Sequence, residues 1–297
     1  MHISVLLEES INYLNLKKDS IIVDCTLGYG GHSSKILENI PEGFLYAFDQ
    51  DEEAIKSAEK KLKAVNNNYK IINKNFLNIK DEVKEKVDGI LFDLGVSSPQ
   101  LDEDYRGFSY HNDAPLDMRM NRNQKLDAKT VVNEYSYEQL VDIFKKYGEE
   151  KYSTSIAKGI IKNRPINTTL ELAQIIKDNV PESYRRKSHP ARKIFQAIRI
   201  EVNDELNVFE KALRDSLELL KPNGRICVIT FHSLEDRICK EIFKEVSEVK
   251  KELKSLPVIP KEYQPKFKQI ANIKPTDEEI KENKRSRSAR LRVIERI

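Results

Sequence analysis

The stretch SIIVDCTLGYGGHS, Ser20 to Ser33, decides the fold. Ile21, Ile22 and Val23 form an unbroken β-branched run that ends in Asp24, and a glycine cluster follows before a helical pattern opens at Ser33. A continuous apolar run of this kind suits a strand buried on both faces, as in a parallel sheet. The same design recurs outward from it. Phe44–Phe48 is a second apolar run, ending at Asp49, after which Ala54, Ile55, Ala58 and Leu62 recur at helical spacing. Tyr69–Ile72 and Val87–Phe92 supply two further strands, the latter ending at Asp93. Strands alternating with helices predict βαβ units and a doubly wound α/β sheet.

The glycine turn narrows the ligand. Glycine permits positive φ and lets backbone approach a ligand closely. A dinucleotide fingerprint would place a third glycine where Ser33 stands, and no Lys-Ser/Thr pair follows the glycines as a phosphate loop requires. A nucleoside ligand remains open, against the plainer reading of a structural turn. Asp49 lies 19 residues after Gly30 at a strand end, where an acid can accept from both ribose hydroxyls. Asp93, followed by the small residues of Leu94-Gly95-Val96-Ser97-Ser98, is expected to face a ligand.

From Tyr105 to His189 no strand pattern is evident, and Tyr137–Tyr147, Thr154–Lys162 and Thr169–Asn179 read as helices. Alternation then resumes. Arg192–Leu220 reads as one long helix, Lys221-Pro222-Asn223-Gly224 as a turn, and Arg225–Phe231 as a strand. A helix from Leu234, a strand at Phe267–Ile273 and a closing strand at Ala289–Ile294 complete the pattern. The expected domains are a core of residues 1–104 and 192–297 and an all-helical insertion of residues 105–191.

Composition excludes several classes. The three cysteines form no CxxC pair, so neither a disulfide framework nor a zinc site is signalled, and the scattered histidines offer no metal spacing. No apolar stretch approaches the length of a membrane span, and Glu8 and Glu9 are foreign to a signal peptide, so a cytoplasmic protein is expected. Net charge is only +3, which makes the placement of charge matter more than its sum. Residues 183–200 hold six Lys/Arg and no acid; residues 284–296 hold six against Glu295 alone. Such runs are ordinarily solvated faces, but two of them in a nearly neutral chain suit RNA phosphates.

Longer strings carry a resemblance. They include His2-Ile3-Ser4-Val5-Leu6-Leu7, Gly30-Gly31-His32-Ser33, Asp93 through Gln100, and Arg106-Gly107-Phe108-Ser109. They continue in Pro115-Leu116-Asp117-Met118-Arg119-Met120, Tyr147-Gly148-Glu149-Glu150, His189-Pro190-Ala191-Arg192 and Phe195-Gln196-Ala197-Ile198-Arg199-Ile200. Phe231-His232-Ser233-Leu234-Glu235-Asp236-Arg237 and Arg285-Ser286-Arg287-Ser288-Ala289 complete the set. Nearly end to end, the chain resembles the bacterial 16S rRNA cytosine-N(4) methyltransferases of the H type. The resemblance implies a class I methyltransferase (Rossmann-like) core with an inserted helical domain. It implies S-adenosyl-L-methionine held by Gly30, Gly31 and His32, with further contacts at Asp49, Phe76, Asp93 and Gln100. It implies a cytidine in the decoding region of 16S rRNA as substrate, with the small ribosomal subunit as partner; a homodimer is left open.

The exocyclic amine of cytosine is a weak nucleophile, so an acceptor on it and in-line positioning are what the chemistry needs. Asp93, with Ser97 and Ser98 of the same loop, is the expected catalytic group, and His232 could stack on or bond to the base. Its plainer reading is a histidine that orients the following helix. Arg119, Arg192, Arg199, Arg237 and Arg287 are the expected RNA contacts, and Tyr105, Phe108 and Tyr110 could wall a pocket for an unstacked base. Two other readings compete: a nucleotide-dependent oxidoreductase, disfavoured by Ser33, and a nucleoside-binding ribosome-assembly factor without catalytic turnover.

Overall fold

The computed structural model describes residues 4–96, 104–186, 189–249, 251–253 and 259–297. Ser97, Ser98 and Gln100 lie outside the described residues. The chain forms two compact units, Met1–Gly95 with Leu206–Ile297, and Val96–Glu205.

The first unit is a seven-stranded sheet of order β3-β2-β1-β4-β5-β7-β6. Its strands are β1 (Ile21–Asp24), β2 (Phe44–Asp49), β3 (Tyr69–Asn73), β4 (Val87–Asp93), β5 (Leu220–Thr230), β6 (Phe267–Ile273) and β7 (Arg290–Arg296). Strands β1 to β5 run parallel, and β7 runs antiparallel to both β5 and β6. Alternation along each strand explains the unbroken apolar runs. Val23 and Phe92 enter one core cluster, whereas their neighbours Ile22 and Leu91 enter another, and all four are fully buried. The sheet is therefore covered on both faces, as a doubly wound domain requires. The chain leaves β1 toward β2 and β3, then returns to place β4 on the other side of β1. That reversal opens a crevice beyond the carboxyl ends of β1 and β4, where such sheets bind ligands.

The expected turn after Leu220 is a bulge within β5. Leu220 pairs with Val87 and Arg225 with Gly89, so the intervening residues loop out of register, with Asn223 at φ 64°.

The second unit is built on helices. Ala128–Glu134 (α5), Tyr137–Lys146 (α6), Ser153–Lys162 (α7) and Thr169–Asp178 (α8) follow the four helices α1 to α4 that precede β4 (Leu7–Leu14, Gly31–Asn39, Glu52–Lys63 and Ile79–Glu82). Two of the starts are reciprocal caps, Ser136 with Gln139 and Thr168 with Glu171. After the short α9 (Glu182–Arg185), Ala191–Asn203 (α10) packs on α5, α6 and α8. The long helix expected over Arg192–Leu220 is thus two, α10 and Glu205–Leu219 (α11). Asp204 separates them at φ +50°, a left-handed conformation that Asp tolerates better than most residues. Arg192 and Arg199 consequently belong to the helical unit.

Asn203, 7% exposed, ties this unit together. Its Nδ2 donates to the carbonyl of Met118 (2.8 Å), and its Oδ1 accepts from the amide of Met120 (2.8 Å). Replacing it strands buried backbone groups. Asn203→Ala is expected to lower the unfolding free energy by about 2 kcal/mol in urea titration, with an unchanged denaturant slope.

Candidate active site

The loop after β1 is shaped by backbone and carboxylates together. Gly28 and Gly30 lie in the left-handed region at φ +50° and +76°, and Gly30 caps α2. At Gly31 a Cβ would fall 1.9 Å from Ser4 Oγ, so a side chain there would displace the Ser4 hydroxyl. Asp24 is fully buried and accepts from Ser33 Oγ (2.6 Å) and Thr26 N (3.0 Å). Ser33, which departs from a dinucleotide fingerprint, is therefore the hydroxyl that satisfies a buried acid. Thr26 Oγ1 in turn accepts from the amide of Asp93 (2.7 Å), linking the ends of β1 and β4.

Asp49 ends β2 half-buried, with Oδ2 accepting from Gly28 N (2.8 Å) and Oδ1 from Asp51 N (2.9 Å). A carboxylate has about four lone-pair directions, so acceptor capacity remains for ribose hydroxyls. Burial raises its pKa to about 6 against those two hydrogen bonds, with the nearby Asp51 charge adding to the rise. Phe76 follows β3, half-buried, its ring edge-on to Phe92 at 5.6 Å between centroids.

His32 and Asp93 meet at the switch point. His32 is 4% exposed, and its Nδ1 lies 3.5 Å from Asp93 Oδ2. Asp93 Oδ1 is buried and has no hydrogen-bond partner among the described residues. Burial, with Asp24 and Glu235 nearby, holds this carboxyl well above the ordinary range.

His232 is the N-cap of α12 (Ser233–Ser247). Its Nδ1 accepts from Glu235 N (3.5 Å), and its Nε2 lies 3.1 Å from Glu235 Oε1. Both ring nitrogens are thereby turned to the start of its own helix. Glu235, 2% exposed, also accepts from Phe231 N (2.8 Å) and His232 N (3.2 Å) through Oε2. Asp24, Thr26 and Glu235 were not among the expected site residues. Asp24 could have been noticed as an acid ending a strand, like Asp49 and Asp93. Glu235 carried the weaker signal of an acid three residues after a cap.

The expected RNA arginines divide. Arg119 donates a forked pair of hydrogen bonds to Asp117, Nε to Oδ1 and Nη2 to Oδ2 at 2.8 Å each, and its Nη1 donates to the carbonyls of Arg122 and Gln124. Arg199 forms the same fork with Glu205 at 2.8 Å twice. Both guanidinium groups are committed within their unit. Arg192, Arg237 and Arg287 are exposed.

The reversed parallel sheet, the glycine turn and the acids ending adjacent strands define a class I, Rossmann-like methyltransferase fold. A family model described as the MraW methylase family matches residues 1–297, and the chain belongs to that family. It is 52% identical over 306 residues to the ribosomal RNA small subunit methyltransferase H of Exiguobacterium sibiricum, covering 100% of this chain and 98% of the relative. Among solved structures, it is similar to an rRNA methylase from Streptococcus thermophilus, with a TM-score of 0.47, 13% identity and coverage of 100% of this chain and 99% of that one. An S-adenosylmethionine-dependent O-methyltransferase from Thermotoga maritima scores 0.42 at 11% identity, over 98% and 64% of the two chains.

If ionised Asp49 receives ribose hydroxyls, protonation removes the acceptor. Affinity for S-adenosylmethionine, measured by calorimetry, is then expected to be flat above about pH 6 and to fall about tenfold per unit below it. Asp49→Asn should bind weakly and lose that pH dependence; retention of the dependence would assign it to another group.

Proposed function

We propose that this protein transfers a methyl group from S-adenosylmethionine to the exocyclic N4 of a cytidine in the decoding region of 16S rRNA, within the small ribosomal subunit. The observation that carries the reading is Asp93 Oδ1, a buried acceptor without a partner among the described residues, at the sheet's switch point beside His32. Membership of a methylase family supports the reaction class, and the name of the 52% identical relative supports the ribosomal RNA substrate.

The residues fit the cofactor. The turn at Gly28, Gly30 and Gly31 offers backbone without side chains at three of its four positions, Asp49 retains acceptor capacity for a ribose, and Phe76 offers a ring beyond β3. When bound, S-adenosylmethionine supplies an electrophilic methyl group on sulfur. The protein's own task is to raise the reactivity of an amine whose lone pair is delocalised into the ring. Asp93 accepts an N–H of that amine and takes up the proton that nitrogen releases as it becomes methylated. A carboxyl held above the ordinary range is the stronger proton acceptor once ionised. His32 holds the second carboxylate oxygen, which fixes which oxygen faces the amine.

Ser97 and Ser98, beside Asp93 in the chain, complete the amine's surroundings in this reading, and Gln100 completes the cofactor's. His232 is a positioning residue here: with Glu235 it sets the start of α12. The helical unit serves substrate recognition, and Arg192, Arg237 and Arg287 contact phosphates. A cytoplasmic site of action follows from the substrate; among the described residues no helix is long and apolar enough to cross a membrane.

Asp93→Asn keeps the shape and removes the proton acceptor. It is expected to lower methyl incorporation into small subunits by at least about a hundredfold while S-adenosylmethionine binding stays within a few-fold of wild type. Wild-type kcat should rise with pH along a limb above the ordinary carboxylate range, because only ionised Asp93 accepts the proton. Nucleoside mass spectrometry of the rRNA identifies the product. Normal turnover by Asp93→Asn would defeat the assignment, and no label transfer by wild type would favour an assembly factor.

A further inference from the structure

The helical unit carries a group of rings that its core does not enclose. Tyr110 stacks on His189, with centroids 4.6 Å apart and planes 20° from parallel. His111 lies 4.4 Å from Tyr110 and 5.7 Å from His189. Phe195, 4% exposed, closes the inner side, edge-on to Tyr110 at 5.5 Å. Tyr110 is half-buried, whereas His111 and His189 are exposed. A stack of this kind is anchored from beneath and leaves ring surface facing water.

The imidazole is oriented as well as stacked. His189 Nδ1 accepts from the amide of Ala191 (3.3 Å), which assigns the proton of the neutral ring to Nε2. Partial burial, with His111 and Lys177 nearby, holds His189 below the ordinary imidazole range, so the ring is neutral at neutral pH. It offers a π face rather than a charge.

The charge comes from its surroundings. Arg192, one helical turn after His189, and Lys177 are both exposed, and neither has an ion-pair partner among the described residues. This differs from Arg119, Arg199 and Arg186, each of which is held by an acid of the same unit. Exposed rings beside unpaired cations match the chemistry of an unpaired nucleotide, whose base stacks on an aromatic face while its phosphate meets a cation.

We propose that Tyr110, His111 and His189 form a stacking platform for an unpaired base of the RNA, with Arg192 and Lys177 on the adjoining phosphates. The proposal rests on the RNA-methylating reading for its ligand class, and it does not depend on the chemistry at Asp93.

The test uses the full-length protein, a fluorescent single-stranded RNA of about twelve nucleotides, and a duplex of the same length, with binding read by anisotropy across a salt series. His189→Ala and His111→Ala should each weaken single-strand binding several-fold to about tenfold, with little change on the duplex. His189→Phe, which restores a ring, should recover most of the loss. Arg192→Ala should weaken both RNAs and reduce the salt slope by about one ion. Calorimetric binding of S-adenosylmethionine should be unchanged in every variant. His111→Ala leaves the Ala191 hydrogen bond intact and so keeps the test valid should His189→Ala disturb the helix start.

Wild-type affinity in both alanine variants would overturn the platform, as would equal loss on single strand and duplex, or failure of His189→Phe to rescue. Loss of methyl transfer with RNA binding intact would defeat the catalytic reading alone. Normal transfer, with single-strand affinity indifferent to these rings, would defeat the platform alone.

Discussion

The site depends on a buried carboxylate that the substrate need never touch. Asp24 sits at the end of β1 with no exposed surface, and burying an ionised acid is costly unless hydrogen bonds compensate. Ser33 Oγ and Thr26 N supply those bonds, at 2.6 and 3.0 Å. Because the donors stand on either side of the glycine turn, satisfying Asp24 closes the turn into one shape. Because Thr26 Oγ1 also receives the amide of Asp93, the same arrangement fixes the end of β4. The cradle and the acid beside it are thus a single hydrogen-bonded unit.

Much of this was legible in the sequence because it is local. The strand at Phe267–Ile273 falls where the pattern put it, and Asp49 and Asp93 announce themselves as acids ending apolar runs. What was not legible depends on partners distant in the chain or on a single dihedral. The break at Asp204 leaves no proline or glycine in its surroundings, so the apolar periodicity runs across it and two helices look like one. Ser33 looked like a missing glycine because its partner, Asp24, lies across the turn. Ser97, Ser98 and Gln100 rested on resemblance, and they fall outside the described residues.

Charge shows the same limit more sharply. Counting Lys and Arg along the chain treats every cation as available to RNA. A forked bond to a carboxylate, however, commits a guanidinium's geometry as well as its charge. Arg119 and Arg199 look like RNA contacts in the sequence, yet each is closed by an acid, Asp117 two residues before and Glu205 six residues after. Asp117 stands in the same short string as Arg119, whereas Glu205 lies five residues beyond the string that holds Arg199. Arg192, two turns earlier on the same helix as Arg199, is exposed and meets no such acid among the described residues, and only folding distinguishes the two.

The electrostatics around Asp93 follow from the same accounting of partners. Burial, and then two neighbouring acids, Asp24 and Glu235, raise the carboxyl pKa of Asp93. Asp24 has its hydroxyl and amide donors, and Glu235 has the amides of Phe231 and His232. Asp93 Oδ1, by contrast, has no partner among the described residues, with His32 at the other oxygen. Like charges and desolvation both oppose its ionisation, and its neighbours have already used the donors that would relieve it. The fold thus leaves Asp93 Oδ1 as a buried acceptor with unmet capacity for a donor. The capping of α12 by His232 and Glu235 reaches Asp93 through the same electrostatics: it places the Glu235 carboxylate near Asp93 and keeps it bonded to the amides of Phe231 and His232.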